Sequence, residues 1–145
     1  MRRSYGYAMQ PPRCDTELSS SAGINNKTGD NMAGHISIRK AEGTWVVRAG
    51  GAVLGESSEA LELTEGDMPF VIYFPRNDIA MAFLDRTDHS THCPHKGDAS
   101  YFSIVTKSTT LKDAAWSYED PKPEMARIKD HLAFYASDTV TVEQV

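Results

Sequence analysis

A chain of 145 residues and 16.0 kDa makes one domain, long enough to bury roughly two thirds of the surface its unfolded form exposes. With 24% charged and 40% hydrophobic residues, a formal net charge of −5 and a pI near 5.5, it has the composition of an ordinary globular protein and lacks the basic excess of a dedicated nucleic-acid binder. No apolar run approaches the ~20 residues of a transmembrane helix, so neither nucleic acid nor membrane is expected as a partner, whereas a small anion held by a few local cations remains compatible with the charge.

The chain opens MRRSYGYAMQPPRC, two arginines with no apolar stretch after them, which does not read as a secretory signal. Asp15 and Glu17 argue against a transit peptide, and a cytoplasmic protein is expected. Residues 1–33 are Ser, Asn, Gly, Pro and charge without apolar periodicity, which predicts a flexible tail ahead of a single domain over 34–145. Met32, at the end of that tail, is a candidate translational start. The two cysteines, Cys14 and Cys93, are too few for a disulfide framework, and a Cys14–Cys93 bridge would require an oxidising compartment.

From His35 the pattern alternates. HISIRK puts Ile36 and Ile38 on one face of a strand, and TWVVRA adds β-branched and aromatic residues. The Gly50-Gly51 turn predicts a hairpin of Thr44–Ala49 with Ala52–Gly55. The run Glu56, Glu59, Glu62, Glu65 and Asp67 reads as a solvated acidic face. PFVIYFP, bounded by prolines, reads as a buried strand. A helix capped by Asn77 or Asp78 is expected to run through Asp85. After a polar loop, HSTHCPHKGD, ASYFSIV and AAWSYE read as strands, and PEMARIKDH as a short helix opened by proline. LAFY and TVTVEQV then look like a closing hairpin. The fold class predicted is mainly β, antiparallel, with two short helices; no βαβ rhythm suggests a doubly wound sheet.

The loop His89–Tyr101 concentrates the chemical residue types. Cys93-Pro94-His95-Lys96-Gly97 has the form of half a Rieske motif, but no second Cys–His pair follows, so that cluster is excluded. His89, His92, Cys93 and His95 are the right types for zinc, yet His92 and Cys93 are adjacent and converge only on a sharply bent backbone. No metal and no cofactor is expected. Cys93 as a nucleophile is better motivated, because His92, His95 and Lys96 would favour the thiolate; the plainer alternative is a small buried hydrophobe. Phosphate-loop and nucleophile-elbow templates fail, since Gly50-Gly51-Ala52-Val53-Leu54-Gly55 has neither spacing and Gly55-Glu56-Ser57-Ser58-Glu59 lacks its last glycine.

The ordered string YFPRNDIAM, THCPHKGDASYFS, AAWSYEDP and LAFYAS resembles the family described as domain of unknown function 427, which also carries a nucleotidyltransferase-like label. The resemblance covers roughly residue 35 to the end. It places the family pattern on Tyr73, Pro75, Arg76 and Asp78, on Cys93, Pro94, Lys96, Gly97 and Tyr101, and on Trp116, Tyr118 and Pro121, with Ser57 and Phe134 matching more loosely. His95 stands where the family usually has tyrosine. The resemblance implies a β-tent-like fold, two antiparallel sheets packed at a steep angle, akin to zinc modules held by two Cys pairs that this chain lacks. The paired aspartates that nucleotidyl transfer calls for are also missing.

The residues singled out are Tyr73, Arg76, Asp78, Cys93, Lys96, Tyr101, Trp116, Tyr118 and Glu119. Their convergence would form an aromatic-walled pocket with two cations, the usual form of a small-molecule site. Arg76 is suited to clamp a carboxylate or phosphate, and Lys96 to act as a point charge. The leading expectation is a binding module for an anionic or nucleotide-like ligand. The alternatives are a transferase or hydrolase with Cys93 as nucleophile and Lys96 stabilising negative charge, and a non-catalytic interaction domain.

Overall fold

The computed structural model describes residues 36–66 and 68–145. The expected tail, Cys14, Met32 and the boundary after residue 33 lie outside the described residues. The described chain is mainly β, as its alternation predicts. Three sheets form, antiparallel throughout. The first is β1 (Ile36–Lys40), β4 (Leu61–Glu65) and β5 (Val71–Tyr73), in that order. The second is β10 (Val140–Gln144), β2 (Trp45–Ala49) and β3 (Ala52–Ser57). The third is β6 (Leu84–Cys93), β7 (Gly97–Val105), β8 (Thr110–Ser117) and β9 (Ala133–Phe134).

A reciprocal pair of bonds joins the first and third sheets: Phe74 and Leu132 each donate an N–H to the other's carbonyl at 2.8 Å. The strands therefore form two hydrogen-bonded networks, one running from β1 through β5 and β9 to β6, the other β10-β2-β3. Among the described residues, no helix is long and apolar enough to cross a membrane.

The Gly50-Gly51 hairpin forms as expected, both glycines at positive φ, with a register shift after Val47. Two expectations fail because tertiary pairing outcompetes a local pattern, and a third element is shorter than expected. The helix predicted to run to Asp85 is two 3-10 turns, Arg76–Asp78 and Met81–Phe83, followed directly by β6. Between the turns, Ile79 bridges to Gly55 and the Ala80 N–H reaches the Leu54 carbonyl at 2.7 Å, so β3 holds this segment extended where a helix would continue. The helix over PEMARIKDH likewise shortens to a 3-10 segment, Pro123–Ile128, with proline at its start.

The closing hairpin does not form either. β9 is taken on one side by β8 and bridged on the other through Leu132, so β10 pairs with β2 instead. Finally, the acidic stretch is a strand as well as a surface. Leu61 and Leu63 of β4 enter the core, and Glu62 is only 3% exposed, held by Arg39 at 3.3 Å.

The core draws on all three sheets. Trp45, Tyr73, Phe74, Tyr101, Trp116 and Phe134 are among its largest side chains. Trp45 turns its indole N–H to the Glu42 carbonyl at 3.1 Å and meets Phe70 edge to face, so its one polar atom stays satisfied.

Candidate functional site

The expected polar loop is a hairpin in which His89–Cys93 belong to β6 and residues from Gly97 to β7. The turn between them aims Lys96 inward. The Lys96 N–H donates to the Cys93 carbonyl at 3.2 Å, and the Lys96 carbonyl accepts from Lys122 N–H at 3.0 Å. Gly97 sits at φ +112°, where a side chain is strained, and a Cβ there would lie 3.3 Å from the Asp120 carbonyl oxygen.

The register of β7 and β8 sorts the side chains into two faces. Tyr101 stands opposite Trp116, while Ser100 stands opposite Ser117 and Phe102 opposite Ala115. Side chains alternate along a strand, so Tyr101 and Trp116 share one face, and Phe102, Ala115 and Ser117 share the other.

On the first face, the indole N–H of Trp116 donates to the Tyr73 hydroxyl at 3.3 Å, the rings meeting at right angles. Tyr135 packs against Trp116 with ring centroids 4.8 Å apart. The Tyr101 hydroxyl shares a 3.0 Å hydrogen bond with Thr91 Oγ1, and the His89 ring packs edge-on against Tyr101. Lys96 Nζ donates to Glu65 Oε1 at 2.8 Å and approaches Cys93 Sγ at 3.7 Å. Lys96 is wholly buried, and Glu65 is partly buried at 16% exposure. Of the residues expected to converge, Tyr73, Cys93, Lys96, Tyr101, Trp116 and Tyr118 are thus brought to this one side of the sheet, in or against the core.

Desolvation governs the electrostatics here. Burial pushes the Lys96 amine below the ordinary lysine range, and the Glu65 carboxylate offsets this only in part. Burial raises the Tyr118 phenol well above its usual value, and nearby Tyr73, Tyr101 and Glu65 add to the shift. Tyr135 is raised in the same sense by burial and then by Tyr101, through both charge and a hydrogen bond. A phenol raised above its unfolded value of ~10 stabilises the fold below that pH and loses its contribution as pH climbs beyond it. In an alkaline titration of the chain's six tyrosines, Tyr118 and Tyr135 are expected to stay protonated until the domain unfolds, so that the last tyrosinate absorbance appears together with loss of structure. Substituting both by Phe should diminish that late phase; a single phase near pH ~10 in the folded wild type would contradict the assignment.

The remaining expected residues sit elsewhere. Arg76 lies on the opposite face, donating to Ser117 Oγ at 3.2 Å, to the Asp130 carbonyl at 3.0 Å and to Glu119 Oε2 at 3.0 Å. Glu119 is thereby the ion-pair partner of Arg76. Desolvation pushes its carboxyl up, but hydrogen bonds from Arg86 and Arg76 outweigh that and hold it below the usual range. The Asp78 side chain is exposed, and only its backbone is packed, against Gly55. His92 pairs with Asp98 at 2.6 Å on the surface, and among the described residues no three His, Cys, Asp or Glu are grouped as a metal ion would require. Cys93 is disulfide-bonded here; Cys14, the chain's other cysteine, lies outside the described residues.

The sequence reading missed Glu65, Tyr135 and Arg86. A signal for Glu65 was present: Leu61, Leu63 and Glu65 recur at every second position, which puts Glu65 on the inward face of β4. Arg86 joins its cluster only through a strand pairing that no local pattern announces.

The order of these residues along the chain is that of a known family, whose model, described as domain of unknown function DUF427, matches residues 37–145. The chain belongs to the DUF427 family. The match spans every described strand apart from the first residue of β1, and both faces of the β6–β9 sheet lie within it. No curated protein matches the chain.

Proposed function

We propose that this DUF427 domain is a small-ligand-binding module whose ligand is anionic or nucleotide-like and occupies the tyrosine face, with Lys96 as its cationic anchor. The observation that carries this reading is the burial of Lys96 against Glu65 on the side of the sheet that also carries Tyr73, Tyr101 and Tyr118. Taking an ammonium and a carboxylate out of water costs several kcal/mol for each ion, and a well-packed apolar pair is often as stable or more so. A fold that keeps such a pair among Tyr73, Tyr101 and Tyr118 has the perturbed, convergent polar groups expected of a functional site. Trp116 and the tyrosines are packed in the core, so a ligand with a flat group would open this face to reach them, and their rings and phenol hydroxyls would then wall and orient it.

The test is thermal unfolding with adenosine monophosphate, then with other nucleotides and small carboxylates. A stabilising shift is expected in the wild type, and the double variant Lys96→Met/Glu65→Leu should lose it while remaining folded. A shift of equal size in the double variant would remove Lys96 from the site.

A second reading is favoured by one distance, the 3.7 Å between Lys96 Nζ and Cys93 Sγ. A cation so placed favours a thiolate, the reactive form of cysteine. Thiol chemistry would require the Cys93 disulfide to be reduced first. Cys93→Ser separates the two readings, since a binding module retains its ligand affinity and a thiol enzyme loses turnover.

A further inference from the structure

The face of the β6–β9 sheet turned away from the tyrosines carries a separate polar constellation. Arg86 of β6 stands directly across from Phe102 of β7, so both project from this face. Two guanidinium groups flank the Phe102 ring, with Arg86 Cζ 5.2 Å and Arg76 Cζ 5.7 Å from its centroid. Both reach the same carboxylate. Arg86 Nη2 donates to the two oxygens of Glu119 at 2.6 Å each, and Arg76 Nη2 donates to Oε2 at 3.0 Å. Arg76 is fixed from behind by the Asp130 carbonyl and Ser117 Oγ, whereas the Arg86 side chain is 53% exposed.

Two guanidinium groups present ten N–H donors and two positive charges, and one carboxylate neutralises only half of that charge. A singly charged group in this place leaves the cluster cationic, whereas a doubly charged oxyanion would neutralise both arginines and accept from both forks. Glu119 lies just beyond the end of β8 and is about one quarter exposed, so its side chain can rotate into water without moving the strand.

We infer that the Arg76–Arg86 pair over Phe102 is an oxyanion site for a small phosphate monoester or pyrophosphate, with Glu119 as the resident carboxylate that the ligand displaces. The favoured ionisation of Glu119 agrees with this, since the same two hydrogen-bond sets that hold it charged are the ones the ligand would take over. The site lies across the sheet from Lys96 and does not depend on a ligand on the tyrosine face.

The test is calorimetric titration of the full chain with inorganic pyrophosphate, followed in parallel by the guanidinium N–H resonances of Arg76 and Arg86. Saturable binding is expected, with both resonances moving in step with the heat. Arg86→Ala should weaken binding about tenfold or more, the usual effect of losing a charge-assisted hydrogen bond. Glu119→Gln should tighten it by about tenfold, because the internal competitor loses its charge. Binding that is unchanged by Arg86→Ala overturns the site. So does a folded Glu119→Gln protein that binds no better than the wild type, or an absence of binding in both. Should Glu119→Gln fail to fold, Arg86→Ala decides alone, since it alters a half-exposed side chain on an edge strand.

Discussion

Lys96→Met is expected to destabilise the domain by about 3 kcal/mol, the lower end of the range for stranding one member of a buried ion pair. The cause is Glu65, a carboxylate only 16% exposed whose 2.8 Å partner is then gone. Converting Glu65 to Leu in the same protein removes both charges together, and the double variant should return to within about 1 kcal/mol of the wild type. Urea unfolding of the wild type, both single variants and the double variant measures the coupling directly. A double variant less stable than Lys96→Met alone would mean that Glu65 matters to the fold for a reason other than Lys96. The recovery matters for function as well as stability, because it yields a folded protein in which the proposed role of Lys96 can be tested.

Gly55→Ala is expected to cost about 3 kcal/mol, at the top of the range for overpacking. A Cβ at residue 55 would stand 2.5 Å from Ile79 Cδ1 and 2.6 Å from the Asp78 carbonyl oxygen. The isoleucine tip can yield, but the carbonyl belongs to the backbone of the segment that β3 holds extended. Relief therefore requires β3 to part from residues 78–80, breaking the Ala80 to Leu54 hydrogen bond and the Gly55–Ile79 bridge. Arg76 leads into that segment, so its contacts with Ser117 and Glu119 should loosen in the same variant, visible as exchange broadening of its guanidinium resonance. Wild-type stability for Gly55→Ala would show that the two strands are not held in this contact.

Much of this fold was legible because its strands are amphipathic over short distances. The alternation of HISIRK, the Gly50-Gly51 turn and the proline-bounded PFVIYFP each report a local energetic preference, and each is found as a strand or hairpin. What was not legible depends on partners distant in sequence. Residues 76–83 carry a fair helical pattern, but β3 lies beside them. TVTVEQV looks like the partner of LAFY until β8 and Leu132 take both sides of β9. The histidines drew attention through residue type alone, and the structure puts His92 in a surface pair with Asp98. Tyr73, Tyr101, Trp116 and Tyr118 were picked out by their place in a family pattern, and the register of β7 and β8 explains why they belong together. The same register separates Arg76 and Glu119 from Lys96, a division that alternation predicts only once the pairing is known.

We propose above that the tyrosine face binds a small anionic molecule through Lys96. It is tested most directly by weighing freshly purified, untagged protein under native and then denaturing conditions, beside the Lys96→Met/Glu65→Leu variant. Extra native mass is expected in the wild type, of the size of a small organic anion, absent after denaturation and absent from the variant. Equal extra mass in both proteins would contradict Lys96 as the anchor, and mass that survives denaturation would point instead to covalent chemistry at Cys93.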